Sequence, residues 1–513
     1  MADTWQEANN RVLELTGQGQ MEEALAAARL AADIAQRQHG EDDSRLAVSL
    51  NNLGELYHMA GRFDESQEAL TRSLAICEST FGNISPEVAE TLINLAELHL
   101  SRRELVQARQ CMERVVAMHG QLEADPRQQV QAIHHLAMIL QGLGEPAEAL
   151  THLENGLLLA ETKLEADDPH LAPFLKGLAA YDLQAGKIDL AEERLRRAIV
   201  IFEKSIGQEH PDFAACLSLI AEVYVARGHA AAAEPFFGQA LEIFKATLGP
   251  EHVETAAVLE RLAGLCAATG KKEKAETLLQ EALTCYIAAL GADNAETARV
   301  QNDLGEIYLD SSRHEPALPL FLASLAVREK VFGKNHPAVA QSLNNLGVVH
   351  SLRGEKTLAL KQHGKALAIR EQAFGASHPA ITQSLDNIAA IHQENGELDK
   401  AEELLKRSLT VWEGVYPDGH PAVAQANHNL AGLYMAAGRN PEAEKRLVAA
   451  RKILESGGER NSPHLATVFK TFAKLYQKMG RVADSKEYAA RAEKILKPPP
   501  RKSAEGEKNY HRP

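Results

Sequence analysis

The sequence predicts an all-α solenoid, one helical hairpin copied twelve times in series. Three observations carry that expectation. A glycine returns every 42 residues, at Gly19, Gly61, Gly144, Gly186, Gly228, Gly270, Gly354, Gly396, Gly438 and Gly480. Arg103 and Ser312 hold the two missing beats, and the step from 103 to 144 is 41 residues. Seven positions before the beat stands a small residue, as at Gly54, Ala137 and Gly347, with Val12 the exception. Five and twelve positions after it the pattern repeats, as at Ala24, Ser66 and Ala359 and at Ala31, Ser73 and Ala366, with Val115 departing.

Residues 48–86 show how each element arises. Leu50, Leu53, Gly54 and Tyr57 fall at i, i+3, i+4 and i+7, one face of a first helix. Gly61 ends it, because glycine takes positive φ at low cost. A second stripe at Ser66, Leu70, Ser73, Leu74 and Cys77 predicts the return helix, which stops at Phe81-Gly82. The small residues let helix axes approach to the near end of the ~8–10 Å range. A bulky side chain there would overpack the pair by about 1–3 kcal/mol. Between hairpins runs a connector such as Phe332-Gly333-Lys334-Asn335-His336-Pro337 or Phe374-Gly375-Ala376-Ser377-His378-Pro379. Glycine suits the end of one helix and proline the first turn of the next. The histidine falls near the N-cap, and its recurrence with the repeat marks it as structural.

Composition bounds the function. Of 513 residues 45% are apolar, enough for a continuous core, and 5% are aromatic, so small residues do much of the packing. A net charge of −15 disfavours nucleic acid. Cys77, Cys111, Cys216, Cys266 and Cys285 lie far apart with no CxxC pair, which fits reduced thiols and a cytoplasmic setting. The start, MADTWQEANN, has no apolar signal core, and no apolar run approaches the ~20 residues needed to span a bilayer. No phosphate loop, nucleophile elbow or HExxH pattern appears, so no cofactor or metal is expected.

The series Leu50, Leu53, Gly54, Tyr57, Gly61, Ser66, Leu70 and Ser73 resembles the tetratricopeptide repeat. The 42-residue period, the Leu-Asn-Asn-Leu-Gly start at 50–54 and 343–347, and the Phe-Gly-x-x-His-Pro connector are similar to the kinesin light chain variety. The resemblance covers about residues 5–497. It implies a right-handed superhelix whose first helices line an inner groove, and binding of extended peptides or partner helices there.

Helical geometry alone points to the same face. With the core stripe at Leu343, Leu346, Gly347 and His350, the opposite side holds Gln341, Asn344, Asn345 and Val348. The next two repeats place Gln383, Asp386 and Asn387, then Gln425, His428 and Asn429, at equivalent positions; the second repeat offers Asn51 and Asn52. Amides both donate and accept, so these rungs can hold a peptide main chain. The asparagines equally suit bridges between adjacent helices, whereas the glutamines point further out, toward a ligand. In the last repeat Lys470, Lys474 and Lys478 recur on this face, suiting either an acidic segment or the polar cap a solenoid end needs. Elsewhere Glu55, Glu97, Glu222, Glu260 and Glu306 favour a basic or mixed-charge peptide.

One repeat domain is expected over 1–497, least regular at 100–160. There Arg102-Arg103 replaces the turn glycine, Asp125-Pro126 replaces the connector, and Gly156 interrupts a helix. A kink or soft stretch is the expectation, since interior glycine costs up to about 1 kcal/mol against alanine. Residues 498–513 form an expected disordered, basic, proline-containing tail; from Lys497 onward it carries five basic and two acidic residues. The leading functional expectation is a non-enzymatic protein–protein interaction scaffold or adaptor. Self-association is the second reading. An enzyme or metal protein using His134-His135 or the His350 and His392 pair is the third, although those last two stand where other repeats place a core tyrosine.

Overall fold

A computed structural model describes residues 4–122, 124–416, 419–456 and 462–496. The tail expected at 498–513 lies outside them. Among the described residues there are 24 α-helices, one 3-10 turn at Pro379–Ile381, and no strand. The chain forms two compact units, Met1–Pro250 and Glu251–Pro513. Each holds six helical hairpins: the first runs from Trp5–Gly17 to Ala230–Thr247, the second from Val253–Ala268 to Val482–Leu496.

Every beat residue lies in a hairpin turn with positive φ, including Arg103 at 60° and Ser312 at 58°. The turn is held by a backbone bond that spans it: Arg62 N to Tyr57 O and Glu355 N to His350 O, both 2.8 Å. Glu104 N to His99 O (2.8 Å) and Arg313 N to Tyr308 O (2.7 Å) repeat the bond where glycine is missing. Saving those carbonyls from burial unpaired outweighs the ~1–2 kcal/mol that a side chain suffers in the left-handed region.

The side chains that flank the turn vary as pairs. In four hairpins a tyrosine four residues before the beat lies under an arginine one residue after it: Arg62 on Tyr57, Arg313 on Tyr308, Arg439 on Tyr434 and Arg481 on Tyr476, at 4.1–4.6 Å. Where histidine replaces tyrosine, glutamate replaces arginine. His99 Nδ1 bonds Glu104 at 2.7 Å, and His350 and His392 bond Glu355 and Glu397 at 2.5 Å. His350 and His392 thus clasp their own turns, half-buried.

The small residues pack as their spacing demands. A Cβ on Gly54 would meet Leu70 at 2.5 Å, and one on Gly305 or Gly347 would meet Phe321 or His363 at 2.6 Å. Where serine stands in for alanine, its hydroxyl donates to a first-helix carbonyl: Ser66 to Gly54 O at 2.7 Å, Ser73 to Ala47 O at 2.8 Å. Gly156 corrects the expectation of a weak glycine. A Cβ there would come within 2.1 Å of the Phe174 ring, so the missing side chain admits Phe174 to the core. The helices on both sides of the irregular junction, Leu105–Gln121 and Pro126–Gly142, are formed.

The connector histidines cap helices. Nδ1 of His210, His252, His336, His378 and His420 accepts a backbone N–H two residues on, at 3.1–3.2 Å. Their rings also stack on the preceding helix end: Phe332 on His336 (4.5 Å), Phe374 on His378 (4.8 Å) and Tyr416 on His420 (4.1 Å). At these three connectors the stacked aromatic ties the histidine cap to the end of the preceding helix.

Candidate functional site: the first-helix face

The candidate residues lie on the first helices of their hairpins, and the structure sorts them by depth. Gln341, Gln383, Gln425, Lys470 and Lys474 are exposed. Asn52, Asp386, Asn387, His428 and Asn429 are half-buried. Asn51, Asn344 and Asn345 are only 6%, 1% and 7% exposed.

The deeper residues form a ladder. In each rung an asparagine amide donates to the residue 43 positions earlier, on the preceding first helix. Asn52 bonds Asn9 (3.1 Å) and Asn94 bonds Asn51 (3.0 Å) in the first unit. Asn345 bonds Asn302 (3.0 Å), Asn387 bonds Asn344 (3.2 Å) and Asn429 bonds Asp386 (3.1 Å) in the second. His428 Nε2 continues it to Thr471 Oγ1 at 2.8 Å. Asn51, Asn344 and Asn345 take the bridging alternative: the exposure that a first helix gives this position is taken up by its neighbour. Asn345 also donates to Glu306 at 2.8 Å, and Asn51 to Glu90 at 3.3 Å.

The exposed glutamines are held from below. Arg328 and Arg370, from second helices, lie buried beneath this face. Arg328 Nη1 donates to Ala338 O and Ser342 Oγ at 3.0 Å and reaches Gln341 Oε1 at 3.4 Å. Arg370 donates to Ser384 Oγ at 2.8 Å and to Gln383 Oε1 at 3.1 Å. Burial pushes both guanidinium pKa values down; at Arg328, Asp303 and Glu306 oppose the shift. Gln425 donates to Asn429 Oδ1 at 2.8 Å. Sequence reasoning missed the two arginines. Their spacing of 42 residues, each four residues before the end of a second helix, was the available signal.

In the second unit, two carboxyls on this face are perturbed. Burial, and then the neighbouring Glu306 charge, raises Asp303 to about 6. Burial raises Asp386 to about 6, against the hydrogen bond from Asn429. In the last two hairpins a concave space of about 680 Å3 opens beside His428, Thr471, Lys474 and Lys478. The first unit is acidic on the same face, through exposed Glu55, Glu90 and Glu97.

His134, named in the metal reading, meets Phe174 edge-on at 5.4 Å, and burial drives its pKa down to about 4. Among the described residues no three His, Cys, Asp or Glu side chains converge as a metal-binding group. Four of the cysteines are buried and Cys111 is half-buried. No helix among the described residues is long and apolar enough to cross a membrane.

Comparison with known families agrees with this geometry. The tetratricopeptide repeat family matches ten stretches: 12–79, 47–121, 128–204, 175–246, 212–288, 254–330, 296–372, 357–414, 380–456 and 422–497. The chain belongs to the tetratricopeptide-repeat family. Its repeats are similar to those of Arabidopsis thaliana Protein KINESIN LIGHT CHAIN-RELATED 3, at 26% identity over 152 residues, which is 29% of this chain and 22% of that protein. Among solved structures, BtubC (BKLC) from P. vanneervenii is 23% identical with a TM-score of 0.38, over 49% of this chain and 93% of that one. The quorum sensor NprR from B. thuringiensis, in its apo form, is 15% identical with a TM-score of 0.56, over 73% of this chain and 100% of that one. The second likeness is one of fold. Tetratricopeptide-repeat proteins generally bind protein partners, and that general role, an interaction scaffold, is this chain's. The ten matches leave 122–127 uncovered, at the irregular junction of the third and fourth hairpins.

Proposed function

We propose that this protein is a non-enzymatic adaptor of a reducing, cytoplasmic setting that captures extended protein segments on its first-helix faces. The observation that carries the proposal is the row Gln341, Gln383 and Gln425, exposed once per hairpin above a bonded ladder. Neighbouring helices lie ~10 Å apart. An extended chain advances ~3.3 Å per residue, so a glutamine meets every third residue or so of a bound segment. A rung of that kind reads main chain, because each amide offers both a donor and an acceptor. The ladder beneath supplies stiffness, so less entropy is lost on binding. Lys470 and Lys474 add a positive end to the second unit and suit an acidic terminus of the segment.

The test starts from a phage-displayed library of random twelve-residue peptides panned on the full chain. The best peptide is then titrated calorimetrically against the Gln341→Ala, Gln383→Ala, Gln425→Ala triple variant. A tenfold or greater loss of affinity with unchanged melting supports the proposal. Unchanged affinity places the peptide elsewhere and overturns it.

A further inference from the structure

The ladder stops between the third and fourth hairpins, and a cavity stands in its place. Ile93 occupies the position that Asn51 and Asn344 hold elsewhere, so no rung can form to the fourth hairpin. The cavity is about 560 Å3, within the ~300–1,000 Å3 range of ligand sites. It stands beside the connector at 122–125, which lacks the aromatic–glycine–histidine–proline sequence. Sixteen residues after the beat, hairpins five, six and seven bury Phe202, Phe244 and Tyr286, whereas hairpins one, two and four bury Ala35, Cys77 and Ala160. Here that position is His119, a smaller ring, which lines the cavity.

The lining is two-sided. Ile93, Met112 and Ala132 make an apolar wall, and Glu90, Glu97 and Asp125 stand around it. None of the lining residues is lysine or arginine. His119 is 7% exposed, and its Nδ1 has no hydrogen-bond partner. Burial holds its pKa below the ordinary range, which keeps the ring neutral and one nitrogen an acceptor. Burial, and then the Glu55 and Glu87 charges, pushes the Glu90 pKa up, and no cationic side chain of the lining offsets its charge.

We infer that this cavity receives an arginine side chain from a bound protein segment. The methylene stem lies along Ile93 and Met112, and the guanidinium faces Glu90 and Glu97, where its planar fork matches carboxylate oxygens. A guanidinium donates in up to five directions and accepts in none, which suits a lining that carries Glu90, Glu97 and Asp125 and no lysine or arginine. The assignment deepens the adaptor reading for the first unit and leaves the second unit's glutamines untouched, so either can fail while the other stands.

The probes are the peptide Ac-Gly-Gly-Arg-Gly-Gly-NH2, its citrulline counterpart, which is a neutral isostere, and n-butylguanidinium, each titrated against the full chain by NMR. Saturable binding of the arginine peptide, at least tenfold weaker for citrulline, is the expected result. The Glu90→Gln, Glu97→Gln variant, changed only at exposed carboxylates, is expected to lose at least tenfold in affinity. His119→Phe places here the ring that Phe202 and Phe244 supply in hairpins five and six, and is expected to abolish binding while the melting temperature holds or rises. Equal binding of both peptides, or undiminished binding by the glutamine variant, overturns the inference. So does n-butylguanidinium binding as tightly as the peptide, since the site would then serve a free small cation.

Discussion

Hairpins eight to twelve and hairpins three to five share one backbone plan and differ in what joins their first helices. In the former, Asn302, Asn344, Asp386 and His428 are each bonded to the next first helix. In the latter, Ile93 and His134 stand at the same repeat position, and Lys176 there forms an ion pair with Asp212 of the next first helix. The apolar core is continuous in both kinds of hairpin: Leu136, Leu178, Leu346 and Leu430 are fully buried alike. The repeat's core therefore builds the hairpins, and a thin layer of polar side chains decides whether a first-helix face is closed or carries a cavity.

The largest effect that sharpens this contrast is expected at Asp386, the one carboxylate acceptor among the asparagine rungs. Its pKa is raised to about 6 by burial. The folded chain holds the proton where the unfolded chain has already lost it, so ionisation destabilises the fold above the unfolded value near 3.9. That penalty is complete above about pH 6 and fades as pH falls toward 4. Asp386→Asn keeps the acceptor for Asn429 and is expected to stabilise by roughly 1–3 kcal/mol at pH 7. Denaturant titrations at pH 7 and pH 4 check it; an equal gain at both would remove the charge from the explanation.

Gly156→Ala tests whether the irregular stretch is a defect or a fitted contact. Phe174 leaves no room for a methyl group, so a loss of about 1–3 kcal/mol is expected. Gly364→Ala is its counterpart in the ninth hairpin, with nothing within 4 Å of the added carbon. It is expected to gain up to about 1 kcal/mol through helix propensity. Thermal melts that rank the two variants in the opposite order would break the distinction.

Asn345→Ala removes bonds to Asn302 and Glu306. A loss of about 1–2 kcal/mol is expected, whereas His135→Ala, at the equivalent place in the fourth hairpin, breaks no rung. Similar losses for both would mean that the ladder contributes nothing beyond packing. The smallest signal is local. Amide exchange is expected to be faster over 102–127 than over 337–394, because the first stretch lacks the ladder and the regular connector. Equal protection would show that the core alone sets the stability of both.

Much of this was legible along the chain. The beat of Gly61, Gly186 and Gly354 marked the turns, since only a few residues take positive φ cheaply. Gly54, Ser66 and Ser73 announced a close helix pair, and the connector histidines announced caps. Those are local rules, or contacts between residues a fixed number apart, and periodicity carries them.

The amide face was only partly legible. Spacing placed Asn345 and Gln341 on one side of a helix, but a side of a helix is not yet a surface. Gln341 stays outside because its longer side chain clears the neighbouring helix, while Asn345 is short enough to be covered by it. The sequence by itself determined the hairpins, their turns and their close packing, because each depends on steric limits within one repeat. Only the tertiary structure decided which amides remain exposed, why Gly156 must be glycine, and that His119 borders a cavity, because each depends on the distance between residues that belong to different helices.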